Sequence, residues 1–226
     1  MIRPVSCNTP GMHRTVGFLA ALTALATPLL VAAPAQAAVY SAPLRTVVRQ
    51  LPVAVENNVG YDRATWRYGS DTDGDCYNTR AEVLQQETRA AIVYTGCTAK
   101  TGRWLSYADN RLHTLASAVQ IDHLVPLHEA HGSGGRAWTA TRKKAFANDL
   151  AERRSLHAMT STLNSSKQAK DPAEWLPPYA AARCRYITEW AAGKLRWRLS
   201  IDARERAQLI YFADRCTNVT ITVDRV

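Results

Sequence analysis

Asp122-His123-Leu124-Val125-Pro126 decides how this chain is read. Ala118 to His123 is an apolar, partly β-branched run and reads as a strand, so a carboxylate and an imidazole stand side by side at its end. Pro126 cannot continue a hydrogen-bonded ladder and turns the chain away. Two polar clusters follow, Asn148-Asp149-Leu150 and Asn164-Ser165-Ser166-Lys167. His123 and Asn148 are 25 residues apart, and Asn148 and Asn164 are 16 apart. An isolated Asp-His pair is most often structural; the ordered set is far more specific.

That set, D-H-x-V-P, then N, then N-x-x-K, resembles the HNH endonucleases, the ββα-metal or His-Me finger family. The same arrangement occurs in the HNH domain of RNA-guided CRISPR nucleases. The likeness is strongest to secreted actinobacterial HNH-family proteins. It extends to Asp75-Cys76-Tyr77-Asn78-Thr79-Arg80, Trp104, Trp138, Phe146-Ala147-Asn148-Asp149-Leu150 and Asp171-Pro172-Ala173-Glu174-Trp175-Leu176-Pro177-Pro178. The resemblance implies an α+β fold: a β-hairpin carrying Asp122 and His123, a following helix carrying Asn164, and additional helices with a few short strands. It also implies roles. His123 is the general base that takes a proton from water, a task suited to an imidazole near its unperturbed pKa of about 6.5. Asp122 and Asn164 offer oxygen ligands to a divalent metal, Mg²⁺ first and Mn²⁺ second. Asn148 pins the hairpin loop through backbone bonds. Lys167 and Arg80 neutralise phosphate. The implied activity is endonucleolytic hydrolysis of DNA in preference to RNA, leaving a 5′-phosphate, by a secreted monomer without sequence preference.

The family's third histidine is Asn164 here, which still supplies an oxygen. His157 is the alternative ligand, but it falls in Leu156 to Leu163, an apolar stretch read as helix. His128-Glu129-Ala130-His131 is one residue short of the HExxH zinc motif, so its histidines, at i and i+3, stack less well on one helical face than the motif's pair at i and i+4, and the glutamate lands differently; the segment reads as a polar, partly exposed stretch beside the site. Asp71, Asp73, Asp75 and Glu82 fall at positions 1, 3, 5 and 12 of a calcium loop, yet Cys76 stands where that loop needs glycine. An acidic turn tied by a disulfide is the plainer reading. Two other functions therefore stay open: a catalytically silent polyanion-binding protein on the same scaffold, and an extracellular calcium-binding module.

Outside this stretch the chain looks exported. Arg3 and Arg14 precede an apolar run, Val16 to Ala33, and Ala35-Gln36-Ala37 offers a small-x-small cleavage site. Residues 1–37 read as a signal peptide and 38–226 as one nuclease domain, its catalytic core at about 118–170. Nothing later is apolar for the roughly 20 residues a membrane span needs. Cleavage removes two of 28 basic residues, leaving 26 against 19 acidic, a net charge of +7. A positive field favours polyanions without proving one; Arg142-Lys143-Lys144 and Arg153-Arg154 are either solvated faces or phosphate contacts.

Cys7 leaves with the signal, and Cys76, Cys97, Cys184 and Cys216 remain. An even count in an exported chain means two disulfides. Of three pairings, Cys76–Cys97 with Cys184–Cys216 closes the shorter loops. Helices are expected over Thr79 to Gln86, Thr139 to Asn148, from the Asp171-Pro172 cap, over Ala180 to Leu195, and from the Asp202 to Glu205 capping box to about Asp214. Strands are expected at Ala90 to Tyr94, Gly102 to Tyr107 and Val219 to Val223.

Overall fold

A computed structural model describes residues 39–226; the signal-peptide reading of residues 1–37 lies outside them. Strand β1 (Val39–Pro43) runs into helix α1 (Leu44–Gln50), whose Leu44, Val47 and Val48 are buried. A short 3₁₀ turn, Arg63–Trp66, follows; Asp62 caps it by accepting from Ala64 N at 2.9 Å. Helix α2 (Thr79–Glu87) is capped by Asn78, which accepts from Ala81 N. Strands β2 (Val93–Thr95), β3 (Thr98–Ser106) and β4 (Arg111–Leu115) make an antiparallel sheet. Val83 and Leu84 of α2 pack on its Trp104, whose indole N–H donates to Leu84 O at 2.8 Å.

The second antiparallel pair positions the site. Strand β5 (Val119–His123) pairs with β6 (Leu156–Thr160), with Asp122 opposite His157 and His123 opposite Leu156. Helix α5 (Ser161–Lys167) begins where β6 ends and carries Asn164. Strand, strand and helix thus follow in the expected order, but Leu156 to Thr160 is a strand and the helix begins only at Ser161. All five β6 residues are buried. Leu156 and Ala158 join Val119, Ile121 and Trp104 in one apolar cluster, and that packing overrides the helix preference of Leu, Ala and Met.

Between β5 and β6 lie α3 (Leu127–Gly132) and α4 (Ala140–Ala147). After α5, Asp171 does not start a helix: its carboxylate accepts from Ala173 N and Glu174 N at 2.6 and 3.2 Å, closing an Asx turn. Helix α6 (Arg183–Trp197) is the central rod of the larger core, with Tyr186, Ile187 and Trp190 fully buried. Helix α7 (Ala203–Ala213) opens with the expected capping box of Asp202 and Glu205. Strand β7 (Thr220–Asp224) pairs antiparallel with β1, Val39 opposite Asp224. Cys76–Cys97 and Cys184–Cys216 are the disulfides. The class is α+β, and among the described residues no helix is long and apolar enough to cross a membrane.

One buried ionic cluster ties α3, α6 and α7 to the segment before the 3₁₀ turn. The Lys194 ammonium, fully buried, donates to Glu129, to Ser133 Oγ at 2.8 Å and to Glu205 at 3.2 Å. Glu56 lies close enough for the three carboxylates to share one centre. Burial and the neighbouring Glu129 raise the Glu56 carboxyl to about 8, and burial raises Glu205 to about 7.

Candidate active site

A cleft of about 400 Å³ opens at the end of β5, lined among others by Tyr61, Arg63, Asp122, His123, His128 and Asn164. Three of these six were singled out from sequence as base and ligands; they come from β5 and α5, so the ordered motif does converge in space.

His123 is held by its backbone neighbours. Its Nε2 lies 2.9 Å from Ala147 O at the end of α4. A carbonyl only accepts, so Nε2 carries the hydrogen and Nδ1 keeps its lone pair. The Tyr68 ring packs edge-on, 4.9 Å between centroids. Burial, with the charges of Arg63 and Lys167, pushes the imidazole down to about 4, against the one bond that favours protonation. The ring is therefore neutral well below pH 7, more firmly than its unperturbed value implies.

Asp122 is 3% exposed, and its Oδ1 accepts from Lys167 Nζ at 2.8 Å. The same ammonium donates to His123 O at 2.8 Å. Asp122 Oδ2 is buried and meets no donor among the described residues. Burial raises this carboxyl, with Lys167 and His157 pulling against it. Asn164 Nδ2 donates to Gln120 Oε1 at 3.0 Å, which directs the amide and leaves its oxygen. An orphaned carboxylate oxygen and an amide oxygen on one cleft are hard donors, and they fit a small divalent cation.

Other sequence candidates sit elsewhere. Lys167 is fully buried and bound to Asp122, so it cannot reach a phosphate. Arg80 spends Nη2 on Ala116 O and Val119 O, at 2.7 and 3.0 Å, and fastens α2 to the start of β5 outside the cleft lining. His157 is clamped between Glu87 at 2.7 Å and Glu189 at 3.1 Å. Burial opposes its charge, but Glu189 and Glu87 outweigh burial and lift it to about 10. Its two ring nitrogens face Glu87 and Glu189 and it does not line the cleft, which leaves Asn164 as the ligand candidate of the two.

Asn148 pins backbone as the resemblance implies, though on a different segment. Its amide donates to Arg67 O and Lys144 O at 3.1 and 2.8 Å. Its oxygen accepts from Gly69 N at 3.0 Å and from the Thr79 hydroxyl at 2.5 Å. The segment it fixes is 67–79, which carries the Tyr68 ring that packs on His123.

Tyr61 and Arg63 were not found from sequence, because they lie about sixty residues before the motif in a stretch with no period. The aromatic cluster Asp62 to Tyr68 was the available signal. His128 reaches the cleft, whereas His131 is buried against Tyr61 and Trp66. Asp71, Asp73 and Asp75 do converge, all exposed. Cys76 adopts φ +76°, the left-handed turn a glycine would take, so the disulfide-bonded cysteine does not prevent it. Asp71 spends both oxygens on Gly74 N and Cys76 N.

Residues 69–211 match the family described as GmrSD restriction endonucleases, C-terminal domain. An uncharacterized secreted protein of Arthroderma benhamiae is 34% identical over 199 residues, covering 88% of this chain and 96% of that protein. No solved structure matches the chain.

Proposed function

The chain belongs to the GmrSD restriction endonuclease C-terminal domain family, and from that footing we propose that it is a secreted HNH-type nuclease that hydrolyses phosphodiester bonds of DNA with His123 as general base. One observation carries the reading: a buried imidazole, neutral, with its hydrogen fixed on Nε2 by Ala147 O, beside an aspartate and an asparagine on one cleft. That is the state a general base needs before reaction.

His123 Nδ1 takes a proton from water as the water oxygen bonds to phosphorus. The bond from phosphorus to the 3′ oxygen breaks, the 3′ oxygen takes a proton from solvent, and the phosphate stays on the 5′ side. Asp122 and Asn164 would hold a divalent ion, Mg²⁺ or Mn²⁺, which when bound stabilises charge on the phosphate and the leaving oxygen. Asn148 and Tyr68 keep the imidazole in place. Export accords with the two disulfides, with the apolar N-terminal run and with the secreted fungal relative.

The test is plasmid cleavage by the oxidised protein in Mg²⁺ or Mn²⁺, against EDTA and against His123→Ala. Cleavage that needs both metal and His123 is expected, with His123→Ala at least 100-fold slower, on the order of a lost general base. Wild-type cleavage by His123→Ala removes the base assignment. DNA binding without any cleavage makes the protein a silent polyanion binder.

A further inference from the structure

The two cations assigned to phosphate from sequence are consumed elsewhere, Lys167 by Asp122 and Arg80 by backbone carbonyls. A nuclease cleft still needs a fixed positive group for the phosphate oxygens, beyond whatever a metal supplies. Twelve residues line the cleft, and Arg63 is the only lysine or arginine among them. We infer that Arg63 is the phosphate-holding catalytic residue, gripping the non-bridging oxygens of the scissile phosphodiester across from Asp122 and Asn164. This rests on the nuclease reading.

Two observations support the assignment. Arg63 is exposed and, among the described residues, its guanidinium meets no carboxylate in an ion pair. Most of its five N–H donors are thus left for a ligand, in the fork that fits two oxygens of one phosphate. The backbone beneath it is rigid: Asp62 caps the turn, Thr65 N donates to Asp62 O, and Trp66 is fully buried against Phe146 and Trp138. A guanidinium on a fixed platform loses less freedom on engaging substrate than one on a free loop.

The experiment compares wild type, Arg63→Ala, Arg63→Lys and, as a control, Arg80→Lys, each as the oxidised protein with its melting temperature recorded. Arg63→Ala should melt as wild type, since nothing in the fold leans on its side chain. Its kcat/KM on DNA should fall about 10²- to 10³-fold, the scale of losing one preorganised donor, and Arg63→Lys should recover part of that. In EDTA, binding of a fluorescein-labelled DNA duplex is titrated against salt. Arg63→Ala should lower the slope of log K on log salt by about 0.9, one phosphate contact, and Arg80→Lys should leave it unchanged. Cleavage by Arg63→Ala at the wild-type rate, or an unchanged slope, overturns the assignment. If wild type itself cuts nothing, the nuclease reading fails, and the slope alone still decides whether Arg63 holds phosphate.

Discussion

A single ammonium group, that of Lys167, organises the end of β5. It reaches Asp122 Oδ1 and His123 O at once, 2.8 Å from each. Two opposite charges have left water together, which is tolerable only while they stay paired. Lys167→Ala should therefore cost about 3–5 kcal/mol, the range for stranding one member of a buried pair, read as the shift of a urea midpoint. Asp122→Leu with Lys167→Met should regain most of that stability and remain inactive. A small effect of Lys167→Ala would mean that the pair is not held in solution. The sequence shows Lys167 three residues after Asn164 and invites a phosphate contact. Burial reverses that role, and burial depends on α5 folding against β5, which no local pattern displays. Asp122, His123 and Asn164 are legible because chemistry ties them into one short order of residue types. Arg63 is invisible for the opposite reason: it joins them only in three dimensions.

At the scale of elements, the linear signals that survive are those satisfied locally. The Asp202–Glu205 box needs only its own first turn, and it forms as read. Leu156 to Thr160 is composed largely of helix formers but is recruited as a strand by pairing to β5, which a window of sequence cannot contain. The meeting of α3 with α6 and α7 likewise appears only in space, and it brings Glu129 and Glu205 onto one lysine, with the Glu56 carboxylate close to both. Glu56 and Glu205 keep their protons in the fold up to about 8 and about 7, against an ordinary 4.5. The folded protein binds more protons than the unfolded chain across that window, so this contribution is full below pH 4.5 and is lost as pH rises to about 8. Glu129, held low by Lys194 and its hydrogen bonds against the effect of burial, acts in the opposite sense on acidification. Asp171 and Asp202 also face Glu56 and add negative charge on that side. The melting temperature should fall between pH 6 and 9, and Glu56→Gln should flatten the fall. An identical fall in that variant would assign the alkaline loss to other groups.

For the whole molecule, each disulfide acts on a different part of the core. Cys76–Cys97 fastens the entrance of α2 to the β2–β3 turn, across 21 residues; Cys184–Cys216 ties the start of α6 to the chain just after α7, across 32. Chain-entropy arguments put each at about 3–4 kcal/mol. Cys184→Ser with Cys216→Ser should lower the unfolding free energy by that amount, and a reducing agent, which opens both bonds of the wild type, should lower it by about twice as much. A change below about 1 kcal/mol would show that packing of α6 on α7 suffices without the bond.

The strands of the site pair, β5 and β6, are separated by residues 124–155, which carry α3 and α4. Ala147 O, which orients His123, lies inside that excursion, and Asn164 lies beyond it. Arg63 comes from far upstream. Contacts of such long sequence separation form late and slowly. A chain that has yet to pair β5 with β6 thus holds every piece of the cleft and no cleft. The cleft is complete only once β6 and α5, which lie in the last third of the polypeptide, are laid in place.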